Sequence, residues 1–353
     1  MHDTDRLRNR QRVTNSPYQV GIVNGRKKIA CILIVILVLV AAVLVSANVK
    51  RQEPITMVFG GDCAFVHSFE RVVQDHYRYP FAKLDWFRRA DIRMINLENP
   101  ISLRGDKTPK EFNFRMHPKY LGVLKDANIN VVCLANNHIY DYGKDALLDT
   151  LSYLDSAGIR HVGAGENLSM ARKPVILEVN RKKIGFLAYY GNGSWYPASE
   201  GSPGTAPRIK ALIRDDLRAL RENEKVDFIV VNYHWGQEGS NYPEPFQVDL
   251  AHFTVECGAN LIIGHHPHVL QGIEKYKNGI IVYSLGNFLF GYASSKEYDT
   301  AIFKLVIDQH QVLPQIIPIH IASWQASLLT GKGRETVLSK LREYSMGFRE
   351  SIF

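Results

Sequence analysis

Six apolar runs in this chain each close on a cluster of polar side chains, and that recurrence restricts the fold more than any other feature. They are ITMVFGGD (Ile55–Asp62), DIRMINLENP (Asp91–Pro100), INVVCLANNH (Ile129–His138), DFIVVNYHWG (Asp227–Gly236), ANLIIGHHPH (Ala259–His268) and IIVYSLGNFLF (Ile280–Phe290). Short β-branched runs bounded by turn residues read as buried strands. Helical patterns lie between them: KDALLDTLSYLDSAG (Lys144–Gly158), IKALIRDDLRAL (Ile209–Leu220) and PFQVDLAHFTVECGA (Pro245–Ala259). The first places Leu147, Leu148, Leu151 and Leu154 on one face and Gly158 where a C-terminal cap belongs. Alternating strands and helices predict an α/β domain. KPVILEV, KIGFLAYYG and TAIFKLVI add strands with fewer helices between them, so part of the sheet is mixed. Gly191–Pro207, rich in Gly, Ser and Pro, reads as a long loop.

In open α/β sheets the crevice outside the carboxyl ends of the strands takes the ligand. Here those ends deliver Asp62, Glu98, Asn137, His138, His234, His266 and His268. Oxygen and nitrogen donors without thiolates suit a divalent ion such as Mn, Fe, Zn or Mg. Each residue alone has an ordinary structural reading: Asp62 as a helix cap, Asn137 as a turn residue, His234 as a core histidine. The inference rests on the set. The spacing of two in His266-Pro267-His268 predicts an extended segment with both imidazoles on one side. By the same parity His265 turns away, to a supporting or surface position. Glu238 and Asn287 are placed to orient the histidines.

The net charge of +8 is concentrated in the N-terminal tail: residues 1–28 hold seven Lys and Arg against Asp3 and Asp5. The remainder is nearly balanced, which argues against nucleic acid as a partner. After the tail comes IACILIVILVLVAAVLVSA (Ile29–Ala47), without a charge. As a helix it spans about 28 Å, the thickness of a bilayer core. It is longer than the apolar core of an ordinary signal peptide. Lys and Arg predominate before it, so the expectation is a single-pass anchor in a bacterial cell membrane, N-terminus cytoplasmic and C-terminal domain extracellular. The expected organisation is a tail (1–28), a transmembrane anchor (29–48), a linker (49–54) and one domain (55–353). The cysteines at 31, 63, 133 and 257 lack metal-type spacing and predict no structural disulfide.

FGGDCAF, INLENP, LANNHIYDYG, VNYHWGQEG and GANLIIGHHPHVLQGIEKYKNGIIVYSLGNFLF together resemble the motif series of the bacterial CapA/PgsA family of capsule poly-γ-glutamate synthesis proteins. The resemblance runs in order from about residue 55 to 320. It implies a metallophosphatase-like (calcineurin-like phosphoesterase) α/β/β/α sandwich preceded by the anchor. It further implies that Asp62 and His268 hold one ion, that Glu98 bridges, and that Asn137, His234 and His266 hold a second. His138 would be the proton donor to a leaving group. Two departures stand out. Ala64 replaces the histidine of the usual Asp-x-His start, with His67 out of register, and Glu98 replaces the bridging Asp. The lost imidazole weakens the first ion's site most, the extra methylene of Glu98 shifts the bridging carboxylate, and a single or loosely binuclear centre is left open.

Two functions follow from the resemblance. One is an accessory subunit that assists polymer elongation or transport beside the ligase subunit of poly-γ-glutamate synthase and a small polytopic membrane subunit. The other is a metal-dependent hydrolase, acting at the cell surface on a phosphoester or on the polymer. Binding the polyanion needs local cations, and Arg104, Lys107 and Lys110 in the Asn99–Arg115 loop are the candidates.

Overall fold

The computed structural model describes residues 28–38, 53–191, 196–308 and 311–353. The chain divides into two compact units, Met1–Gln52 and Glu53–Phe353. In the first, residues 28–38 are helical and exposed. No helix among the described residues is long and apolar enough to cross a membrane. The expected span of 29–48 runs on through residues 39–48, which lie outside the described residues, as do the tail to residue 27 and linker residues 49–52.

The second unit is built on two large sheets. In the first, β1 (Ile55–Ala64), β2 (Ile92–Leu97), β3 (Val131–Cys133) and β4 (Arg160–Val162) run parallel. A two-stranded ribbon (β5, Ala164–Gly165, with β8, Gly204–Thr205) stands apart. The second sheet has a parallel centre of β7 (Lys182–Tyr190), β9 (Phe228–His234), β10 (Leu261–His265) and β12 (Gly279–Val282). Antiparallel β6 (Val175–Val179) and β11 (Ile273–Tyr276) form its edges. The chain then returns to the first sheet. β13 (Asn287–Phe290) joins the far end of β1 in parallel, and β14 (Glu297–Ile307), β15 (Val312–Ala322) and β16 (Gln325–Leu328) extend it antiparallel.

Period-two side-chain alternation explains the layers. Met57, Phe59, Met94 and Phe303 of the first sheet pack against Phe186, Val230, Ile263 and Val282 of the second. The intervening residues Val58, Ile95 and Val132 face outward and are covered by Leu147, Leu151 and Leu154 of the helix Gly143–Ser156. On the opposite side Leu187, Ile229, Val231 and Ile262 are covered by Ile213, Leu217 and Leu220 of Lys210–Glu222, and by Leu250 and Val255 of Pro245–Glu256. The result is the four-layer α/β/β/α order that the resemblance implies. Strands sandwiched in this way are buried on both faces, which is why their sequences are nearly continuous in apolar residues.

Candidate metal centre

The parallel strands of both sheets end at one shared edge, and the polar run-ends meet there. Asp62 and Glu98 are fully buried. Two glycines let this happen. A Cβ on Gly61 would sit 2.0 Å from the Gly286 carbonyl, and one on Gly264 would sit 1.8 Å from the Tyr283 carbonyl. Only glycine allows β13 and the segment after β12 to approach so closely.

Nδ1 of His265 and of His268 lie 3.2 and 3.3 Å from the two Asp62 carboxylate oxygens. Glu98 Oε1 lies 3.6 Å from His234 Nε2 and 3.8 Å from His268 Nε2. His234 Nε2 is 2.8 Å from Asn137 Oδ1. The His234 and His266 rings are 4.6 Å apart, and those of His266 and His268 5.9 Å apart. Ligand atoms of Glu98, His234 and His266 fall within 4.8 Å of one another, as do those of Asp62, Glu98 and His268. Exposed Glu238 forms a third such group with His266 and His268. All six expected donors are therefore brought to one place. Asn287 Oδ1 sits 2.9 Å from His268 Nδ1.

Two expectations change. Residues 266–268 are not extended: β10 stops at His265, and both His266 (φ 96°) and His268 (φ 59°) take left-handed backbone. That conformation is costly for a residue with a Cβ. It turns the His266 N–H onto Asp62 Oδ2 at 3.1 Å. His265, still on the strand, is buried against Asp62 and not at the surface. The cations of the Asn99–Arg115 loop also part company. Arg104 is engaged by Asp149 at 3.1 Å, and Lys107 is exposed. Lys110 turns inward, pairing with Asp141 and donating to the Asn137 carbonyl at 2.8 Å. It is part of the site's framework and not a free cation for polymer.

Sequence reasoning missed three buried residues. Asn96 donates to Asp62 Oδ1 (2.9 Å) and Glu98 Oε2 (3.1 Å), holding the two acids together. Asn136 donates to Asn96 Oδ1 at 3.0 Å. Asp141 accepts from the His138 ring (2.7 Å) and from the Phe114 N–H (2.6 Å), while the Phe114 ring stacks on His138 at 4.0 Å. The spacing carried a signal for Asn96, two residues before Glu98 and so on the same strand face.

The electrostatics follow from burial and neighbours. Burial opposes ionisation of Asp62, yet the His265 and His268 imidazoles outweigh it and hold the acid well below its usual value. Burial dominates at Glu98, which is pushed well above. His268 shows the reverse balance: burial pulls its pKa down, but the Glu98 and Asp62 carboxylates raise it to about 9. Burial and the neighbouring imidazoles keep His234 well below its ordinary value, and burial with the His268 charge lowers His266 to about 4. Burial also lowers His138 against the pull of Asp141.

A divalent cation fits these residues. Glu98 Oε1, His234 Nδ1 and His266 Nδ1 are buried without a hydrogen-bond partner. Buried polar atoms of that kind are rare unless something unseen satisfies them. His234 and His266 are held neutral, the form in which imidazole binds a cation. When bound, the ion would supply Lewis acidity and a charge to hold an anionic ligand.

Fold and donor set define a four-layer α/β protein with a candidate divalent-metal centre at the common carboxyl edge of its two sheets. The family described as bacterial capsule synthesis protein PGA_cap matches residues 56–292. The chain belongs to that family. The capsule biosynthesis protein CapA of Bacillus anthracis is 30% identical over 326 residues, covering 86% of this chain and 79% of that protein. The PGA biosynthesis protein CapA of Bacillus subtilis (strain 168) is 36% identical over 220 residues, covering 61% of this chain and 57% of that protein. Among solved structures, the NAD nucleotidase of Haemophilus influenzae superposes with a TM-score of 0.44 at 13% identity, over 84% of this chain and 57% of that one. That superposition is too loose to carry an argument.

Proposed function

We propose that this chain is a membrane-anchored component of poly-γ-glutamate capsule synthesis. In this reading a metallophosphatase-like domain outside the cell assists polymer elongation or transport and holds one or two divalent ions. Family membership and the capsule-synthesis names of its relatives support the process. The uncharged run Ile29–Ala47 behind a basic tail supports the anchor and its orientation. The ligase subunit and a small polytopic membrane subunit are the expected partners. The observation that carries the ion is the convergence of Asp62, Glu98, Asn137, His234, His266 and His268 around buried acceptors with nothing to accept.

Elemental analysis of the full-length protein, purified in detergent, tests the ion. A capsule assay on a strain whose only copy carries His266→Ala tests the process. No metal before or after titration with Mn, Fe, Zn or Mg would remove the ion. A wild-type capsule in the His266→Ala strain would detach the site from the process.

One feature favours a second reading, a metal-dependent hydrolase. His138 stands beside the donor set with Nδ1 fixed by Asp141, the arrangement of a positioned acid–base group. Turnover of a phosphoester or a γ-glutamyl amide by the loaded protein, abolished by His138→Ala with metal retained, would establish it.

A further inference from the structure

The loop after β9 is stitched to the histidine segment after β10. The Trp235 N–H donates to the His265 carbonyl at 3.0 Å, and the Gly239 N–H to the Pro267 carbonyl at 2.8 Å. Gln271 Nε2 donates to the Ser240 carbonyl at 2.9 Å, and Asn241 Nδ2 to the Leu270 carbonyl at 2.9 Å. Gly236 (φ 84°) and Gly239 (φ 77°) supply the left-handed turns that this path needs. Pro267 stands between His266 and His268, so the bond from Gly239 sets the preceding residue, Glu238, beside both. A carboxylate oxygen of Glu238 and a ring nitrogen from each of His266 and His268 all lie within 4.8 Å of one another.

Glu238 is exposed, whereas Asp62 and Glu98 are fully buried. It therefore approaches the same imidazoles from the solvent side. Its charge is felt at Glu98, His266 and His268. The donors already described are uneven. Glu98, His234 and His266 are joined by Asn137, whose Oδ1 is 2.8 Å from His234 Nε2, which makes four. Asp62, Glu98 and His268 make three. The flank of His268 beside Phe290 offers no further donor. The Phe290 ring lies 4.4 Å from the imidazole, and Phe290 packs there with Ala64, Val66 and Phe114 in an apolar cluster. The solvent side is left, and Glu238 is the acid on it.

We propose that Glu238 binds the cation directly, as the solvent-side ligand next to His266 and His268, and does more than orient those imidazoles. It brings the Asp62–Glu98–His268 group to four donors, the smallest coordination number ordinary for a divalent ion. Because it stays hydrated while the ion is away, its charge carries none of the burial cost borne by Glu98. The inference rests on the ion proposed above and adds a ligand to it.

The test is a manganese titration of full-length, metal-stripped protein against a chromogenic chelator, in low and in high potassium chloride. If the wild type binds no manganese, the ion itself fails and Glu238 with it. Given wild-type binding, Glu238→Gln is expected to weaken it about tenfold or more, with the melting temperature of the ion-free protein unchanged. Glu238→Asp keeps the charge but draws the carboxylate back by one methylene, and should recover part of the loss. A ligand's contribution persists in high salt, whereas the through-space pull of an exposed charge is screened. The ratio of wild-type to Glu238→Gln affinity is therefore expected to hold between low and high salt. Wild-type affinity in Glu238→Gln, or a ratio that collapses in high salt, would overturn Glu238 as a ligand while leaving the ion in place.

Discussion

His234 Nε2 and Asn137 Oδ1 are 2.8 Å apart across the two sheets of the domain. One ends β9; the other follows β3. Their contact shows that the donor set is built jointly, with neither sheet holding a complete site. His234→Ala and His268→Ala are therefore each expected to weaken divalent-ion binding by at least about tenfold, since even supporting residues of metal sites cost that much. His138→Ala should leave the affinity unchanged. Competition titration with a chromogenic chelator reads the difference.

Ion affinity should climb with pH. His268 without an ion has its pKa raised to about 9 by Glu98 and Asp62. It carries a proton at pH 6 to 8 that a cation must displace. Affinity should rise by up to about tenfold per pH unit across that window and level off near pH 9. Titrations at pH 6, 7, 8 and 9 in buffers of differing ionisation enthalpy would reveal the released proton. A flat profile would mean that binding displaces no proton from His268.

Asn96 holds the two acids of the centre with one amide nitrogen. Asn96→Leu would leave Asp62 and Glu98 facing each other short of a donor, and Asn136 short of one of its two acceptors. A loss of about 1–3 kcal/mol of unfolding free energy is expected for the ion-free protein. Added manganese should restore part of it. Denaturant melts with and without the ion measure both.

The strands and the principal helices were legible in the sequence because buried parallel strands and one-faced helices impose their periods strongly. Asp62, Glu98, Asn137, His234 and His268 were legible because each lies at or just beyond the end of such a strand. What was hidden depended on backbone that no period describes. The parity argument for His265 and His266 failed because β10 stops between them and the chain turns left-handed. The inward turn of Lys110 was hidden because its partner Asp141 lies in another loop, beyond β3.

Gly264→Ala should be among the most damaging single changes in the domain. Its methyl would meet the Tyr283 carbonyl at 1.8 Å and the Trp235 indole nitrogen at 2.5 Å. Both are fixed, since Trp235 Nε1 donates to that same carbonyl. A loss of more than about 3 kcal/mol, seen as poor soluble yield or a large fall in melting temperature, is expected.

Lys110→Met would remove the ammonium shared by Asp141 and the Asn137 carbonyl. Breaking a pair this enclosed should cost about 3 kcal/mol and free the loop it anchors. Faster tryptic cleavage after Lys107 or Arg115 would report the release. An unchanged digest would mean that the loop is held by its other contacts.

β1 pairs with β14 over Ile55–Phe59, Ile55 opposite Ile307 and Phe59 opposite Phe303. The opening strand of the domain must therefore wait for a neighbour made some 240 residues later. Asp62 and Glu98 emerge long before His268, and a nascent chain offers two acids with no imidazole to balance them. Ion capture thus belongs to the last stage of assembly, and a truncated product ending before β13 should be unable to retain a cation at all.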